Sequence, residues 1–122
     1  MKAPVLNVFI VAENALVVNG LRHLLQERYF GMIQVTCFFD FKSCLRRVKE
    51  ACNILITDPL LDGKKGPEVV LSVKLISPLT KVLIYSSTEE VLVDMDRILK
   101  RSTLGLGLML DENASTISGF GL

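Results

Sequence analysis

Two textures alternate along the chain. Five short apolar runs stand out: VLNVFIV (5–11), QVTCF (34–38), NILIT (53–57), KVLIYS (81–86) and LGLML (106–110). They lack the apolar–polar alternation of a half-solvated strand, so they predict strands buried on both faces. The segments between them have helical spacing. Over 14–29, Val17, Leu21, Leu24 and Leu25 form one stripe, and after Asp40, a natural N-cap, Leu45 and Val48 turn inward. GPEVVLSVKLIS (66–77) carries Pro67 in its first turn, where a missing N–H costs nothing. Over 88–101, Leu92, Met95, Ile98 and Leu99 make a further stripe, with Thr88 and two acids at its start. Strand and helix alternating five times predict an α/β fold with an open parallel sheet and helices on both faces.

The tail ASTISGFGL (114–122) occupies the slot of a fifth helix, but Gly119 and Gly121 would each cost about 1 kcal/mol inside one. The expectation is a helix that stops early, as in a domain cut from a longer protein. Such a short helix would leave apolar surface at Leu104, Leu106, Phe120 and Leu122, and an exposed patch of this kind tends to find a partner.

Composition sharpens the picture. At 122 residues the chain suits one domain, 50% hydrophobic content and mean hydropathy of +0.44 imply a well-filled core, and no apolar run reaches the roughly 18 residues of a spanning helix. A formal charge of +1, from 14 basic and 13 acidic residues, offers no global attraction to DNA or to an anionic membrane. Cys37, Cys44 and Cys52 have no metal-ligand spacing and read as reduced cytoplasmic thiols. His23 lies among polar residues and reads as a solvated helix position. The opening MKAPVLNVFIVAENA loosely mimics a secretory signal, but Asn7 interrupts it and Glu13 ends it, so a buried first strand fits better.

In an open parallel sheet, function collects at the carboxyl ends of the strands. Those ends carry Ala12 and Glu13, then Asp58, then Ser86 and Ser87, then Asp111. If the first and third strands are neighbours, Glu13 and Asp58 share a crevice. Paired carboxylates there suit Mg²⁺, with waters completing an octahedron. Each acid equally suits a solvated strand end.

The combination of VFIVAEN, NALVVNGLRHLL, ILITD with Gly66 eight residues after the aspartate, TKVLIYSS and GLMLD resembles the receiver domain of bacterial two-component response regulators, in texture the LuxR/NarL group. The resemblance covers roughly 5–118 and implies a flavodoxin-like (CheY-like) five-stranded sheet, order 2-1-3-4-5, over a receiver domain spanning 1–122 and cut short within helix five. It implies that Asp58 is the phosphoacceptor, that Glu13 and Asp58 ligate Mg²⁺, and that Ser86 contacts the phosphoryl group. It also exposes departures: Ala12 stands where the family has a first acid, Asp111 where it has a lysine, Leu108 where many members have an aromatic switch residue, and Asp62 where a proline is usual. A misplaced like charge about 4 Å from the acceptor costs roughly 4 kcal/mol at an effective dielectric of 20, and phosphorylation adds further negative charge.

The leading expectation is therefore a non-enzymatic, degenerate receiver of a cytoplasmic transcription regulator. It would act through a homodimer or a heterodimer with another response regulator, and any Mg²⁺ binding would be weak. DNA would be reached only through a C-terminal domain outside this chain. The alternative is a working phosphoacceptor fed by a sensor histidine kinase. A small enzyme on the same fold has little support: GLGL (105–108) lacks a third glycine and a phosphate loop, and DPL puts Leu60 where a phosphatase needs a second aspartate.

Overall fold

A computed structural model describes the backbone of residues 5–104 and the side chains of 5–101. The elements run β1 (Leu6–Val11), α1 (Ala15–Arg28), β2 (Ile33–Phe38), α2 (Phe41–Ala51), β3 (Ile54–Thr57), β4 (Leu60–Leu61), β5 (Lys64–Lys65), α3 (Gly66–Ile76), β6 (Lys81–Ile84) and α4 (Thr88–Leu104). The main sheet is parallel in the order β2-β1-β3-β6. Ile10 pairs with Cys37 on one side and Ile56 on the other, and Ile56 pairs in turn with Leu83. This is the α/β arrangement, a parallel sheet with helices on both faces, that the alternation predicts. The run 106–110, expected as the fifth strand, and the tail 114–122 lie outside the described residues.

Helix starts follow the sequence closely. Asn14 caps α1, its side chain accepting the Leu16 N–H at 2.8 Å, and Asp40 caps α2 by accepting the Ser43 N–H at 2.8 Å. At α3, Pro67 sits in the first turn and the Glu68 carboxylate accepts the Lys65 N–H at 3.1 Å.

The two sheet faces hold separate cores. Val8, Ile10, Ile54, Ile56 and Leu83 face α1 and α4, whereas Phe9, Val11, Leu55 and Val82 face α2 and α3. Placing α4 beside α1 has a geometric consequence. A right-handed crossover from β6 to a further parallel strand outside it would hold the helix on the α3 face, and α4 lies on the other. Tyr29, at the end of α1, fixes this placement: its hydroxyl donates to Asp96 and lies 3.2 Å from the Leu92 carbonyl oxygen, while Arg28 pairs with Asp96 at 3.0 Å. Burial and the bond to Asp96 push the Tyr29 hydroxyl up to about 12.

Three expectations from the pattern need correction. The buried stripe of α1 is Val18, Leu21 and Leu25, with Val17 and Leu24 only half-buried; adjacent valines both satisfy the apolar pattern, and packing selects Val18. β2 is only half-buried because it is an edge strand and α2 covers it incompletely. The residues after Asp58 also form a hairpin, β4–β5, that the apolar runs do not announce. His23 is solvated as expected and lies 3.1 Å from Glu27 one turn on.

Candidate acid crevice at the strand ends

β1 and β3 are neighbours, so Glu13 and Asp58 meet at the carboxyl edge of the sheet. The Asp58 N–H donates to the Val11 carbonyl at 3.4 Å, extending the β1–β3 ladder by one step. Ala12, between β1 and Glu13, is buried.

The charges in the crevice are satisfied by main-chain donors, in series. The backbone N–H of Glu13 faces the Asp58 carboxylate and favours its ionised form. The Glu13 carboxylate accepts the backbone N–H of Asp62 at 2.7 Å. The Asp62 carboxylate accepts the backbone N–H of Phe41 at 2.9 Å, in the first turn of α2, where the helix dipole favours an anion. Burial raises the Asp58 carboxyl above the usual carboxylate range; the Glu13 N–H pulls it back and the Glu13 charge pushes it further up.

Asp62 owes its position to a tight turn. Asp62 and Gly63 have φ of 51° and 77°, joining antiparallel strands that pair Leu61 with Lys64 and Leu60 with Lys65. Two successive positive φ values between paired strands are the type I′ hairpin, for which Asp-Gly is a favoured sequence. That dipeptide was the available signal for the hairpin. Nothing in the sequence pointed to Asp62 as the residue joining Glu13 to α2.

Ser86 is exposed, and its hydroxyl donates to the Glu90 carboxylate at 2.5 Å, in the first turn of α4. Beside it, the Ser87 hydroxyl accepts the Glu90 N–H at 3.2 Å. Ser86 is thus engaged with its own helix start and not with Asp58. Leu108 and Asp111 lie outside the described residues. Among the described residues, no group of three or more His, Cys, Asp or Glu side chains is arranged to hold a metal ion. Among the described residues Glu13 and Asp58 are the acids that meet at this edge, and Glu13 already holds the Asp62 amide.

No protein-family model and no curated protein matches the chain. Solved structures do. A receiver domain protein (CheY-like) from Methanospirillum hungatei superposes with a TM-score of 0.68 at 12% identity, over 84% of this chain and 99% of that one. The RcsB response regulator of Salmonella typhimurium gives 0.57 at 21% identity over 66% of this chain, which spans only 41% of RcsB. An adenylate cyclase from Rhodopirellula baltica gives 0.56 at 18% identity, covering 84% of this chain and 72% of that one. At such identities the likeness establishes the fold: this chain folds like a response regulator receiver domain.

Proposed function

We propose that this receiver-like fold serves as the signal-receiver domain of a cytoplasmic transcriptional response regulator, and that it works through protein contacts and not through efficient phosphorylation of Asp58. The observation that carries the reading is the series of carboxylate–amide bonds from Asp58 to Phe41. A phosphoacceptor must be ionised and must have positive charge nearby to offset the incoming phosphoryl group. Here burial raises the Asp58 carboxyl, and the charge that bears on it, that of Glu13, is of like sign. With Ala12 buried and apolar and Glu13 held by Asp62, the donors fall short of a dedicated magnesium site. Any Mg²⁺ would keep mostly water ligands and bind weakly through Glu13 and Asp58.

In this reading the partner is a second copy or another response regulator, and contact with DNA is made by a domain outside this chain. A working phosphoswitch, supplied by a sensor histidine kinase, is the second reading. It is favoured by the place of Asp58 at the carboxyl edge of the sheet with its side chain only half-buried.

Labelling separates the two. With acetyl phosphate and Mg²⁺, or with beryllium fluoride as a mimic, the chain should label little. Ala12→Asp together with Asp111→Lys, which restores the two residues that the family resemblance expects, should raise labelling about tenfold or more. Rapid labelling of the unaltered chain, abolished by Asp58→Asn, would overturn the degenerate reading and establish the switch.

A further inference from the structure

An amphipathic surface helix presents one apolar face to the core and a polar face to water. α2 obeys this rule: Lys42, Arg46, Arg47, Lys49 and Glu50 are all exposed. α3 does not. Gly66, Val69, Val70 and Val73 are buried against the sheet, yet the opposite side carries Leu71 and Leu75, 62% and 76% exposed. Leu79, just beyond the helix end, continues the same four-residue spacing at 86% exposure, and Ile76 flanks it at 41%. A helix apolar on both sides is one made to be covered twice. Because α4 packs beside α1, no helix among the described residues lies over this outer face.

We infer that a second copy of this chain covers it, through an antiparallel two-fold pairing of α3 centred on Leu75. Two observations favour this occupant. Leu71 and Leu79 stand equally far from Leu75 in sequence, and a two-fold axis through Leu75 brings Leu71 of each copy toward the end of the partner's helix, just beyond which Leu79 lies, the self-complementary arrangement that an isologous interface requires. The four side chains expose on the order of 500 Å² per copy, so the pair buries on the order of 1,000 Å² before its polar rim is counted, about what a specific interface must clear.

The pairing deepens the reading of the domain as an interaction module by naming its partner and surface, and it makes no use of the acid crevice. Sedimentation equilibrium of the chain from micromolar to millimolar concentration is the test, with Leu75→Glu and Leu75→Lys as variants. The unaltered chain should dimerise. Each variant alone should pair at least about a hundredfold more weakly, because the axis sets like charges against each other. An equimolar mixture of the two variants should regain pairing, and both should keep the melting temperature of the monomeric fold, since Leu75 touches solvent. A monomeric unaltered chain, or a Leu75→Glu dimer as tight as the original, overturns the inference. So does a variant that stays monomeric in the mixture and melts early, since that places the chain's own residues on this face. A monomer that does not label at Asp58 refutes the pairing alone; a monomer that labels rapidly refutes the protein-contact reading too.

Discussion

Asp62 offers the sharpest test of the site, because two separable features of its geometry each carry a cost when removed. Its φ of 51° is one that alanine adopts at a penalty of roughly 1–2 kcal/mol, whereas asparagine and glycine adopt it readily. Its carboxylate accepts the Phe41 N–H at 2.9 Å in the first turn of α2, and losing such an acceptor costs about 1 kcal/mol. Asp62→Ala loses both and should destabilise the domain by about 2 kcal/mol, a fall in Tm of about 8 °C at this size. Asp62→Gly keeps the turn and loses only the acceptor, about half that effect. Asp62→Asn keeps both, makes an Asn-Gly turn, and should match or slightly exceed the parent. Asp62→Pro cannot take the positive φ and also removes the N–H that Glu13 accepts. It should cost about 3 kcal/mol or more, or force the turn to rebuild. Urea unfolding at constant m-value gives each difference directly. Equal losses for alanine and glycine would show that the turn does not hold Asp62 at positive φ, and a glycine variant as stable as the parent would show that the acceptor is unused.

Three further outcomes follow from the described contacts. Because the folded state raises the Asp58 carboxyl, its contribution is fully present below the unfolded pKa and is lost as pH rises through the folded one; Asp58→Asn should therefore raise the urea midpoint at neutral pH, with the gain vanishing in acid. A gain that persists unchanged at low pH would refute that origin. A Cβ added at Gly66 would meet the Ile84 Cδ1 at 2.7 Å, so Gly66→Ala should destabilise by about 1 kcal/mol, with a coupling of similar size to Ile84→Val in a double-mutant cycle. Burial pushes the Cys44 and Cys52 thiols up to about 12, so iodoacetamide should modify only Cys37 in the native chain and all three cysteines after unfolding, read by mass spectrometry.

The strands, the helices and their caps were legible because each has a local cause. Asp40 and Pro67 act within one turn, and the run NILIT is buried on both faces in the middle of the sheet. What local pattern cannot supply is the side of the sheet on which a helix lies. Val91, Met95, Ile98 and Leu99 make α4 amphipathic, and that stripe would serve equally against either face. The choice is made by partners distant in sequence, with Tyr29 and Arg28 on one helix meeting Asp96 on the other. The same limit hides the edge position of β2, since QVTCF reads as a buried run until the neighbours of the strand are known.

The crevice shows a deeper version of this limit. The acidic side chains were visible, and their like charges suggested an unfavourable cluster. The fold resolves most of that conflict with main-chain amides: Glu13 serves Asp58, Asp62 serves Glu13, and Phe41 serves Asp62. Hydrogen bonds to ionised groups are worth about 1.5–3 kcal/mol each, enough to hold carboxylates at a solvated edge without metal. A backbone N–H leaves no mark in the sequence, because almost any residue provides one. Only its direction matters, and here a two-residue turn and a helix start set that direction. The arrangement therefore ties the state of Asp58 to the geometry of the β4–β5 turn and the first turn of α2. A cation that draws Glu13 toward itself competes with its bond to Asp62. That cost is absent from a receiver whose acids are free, and it is the physical reason to expect Asp58 to respond weakly to phosphodonors.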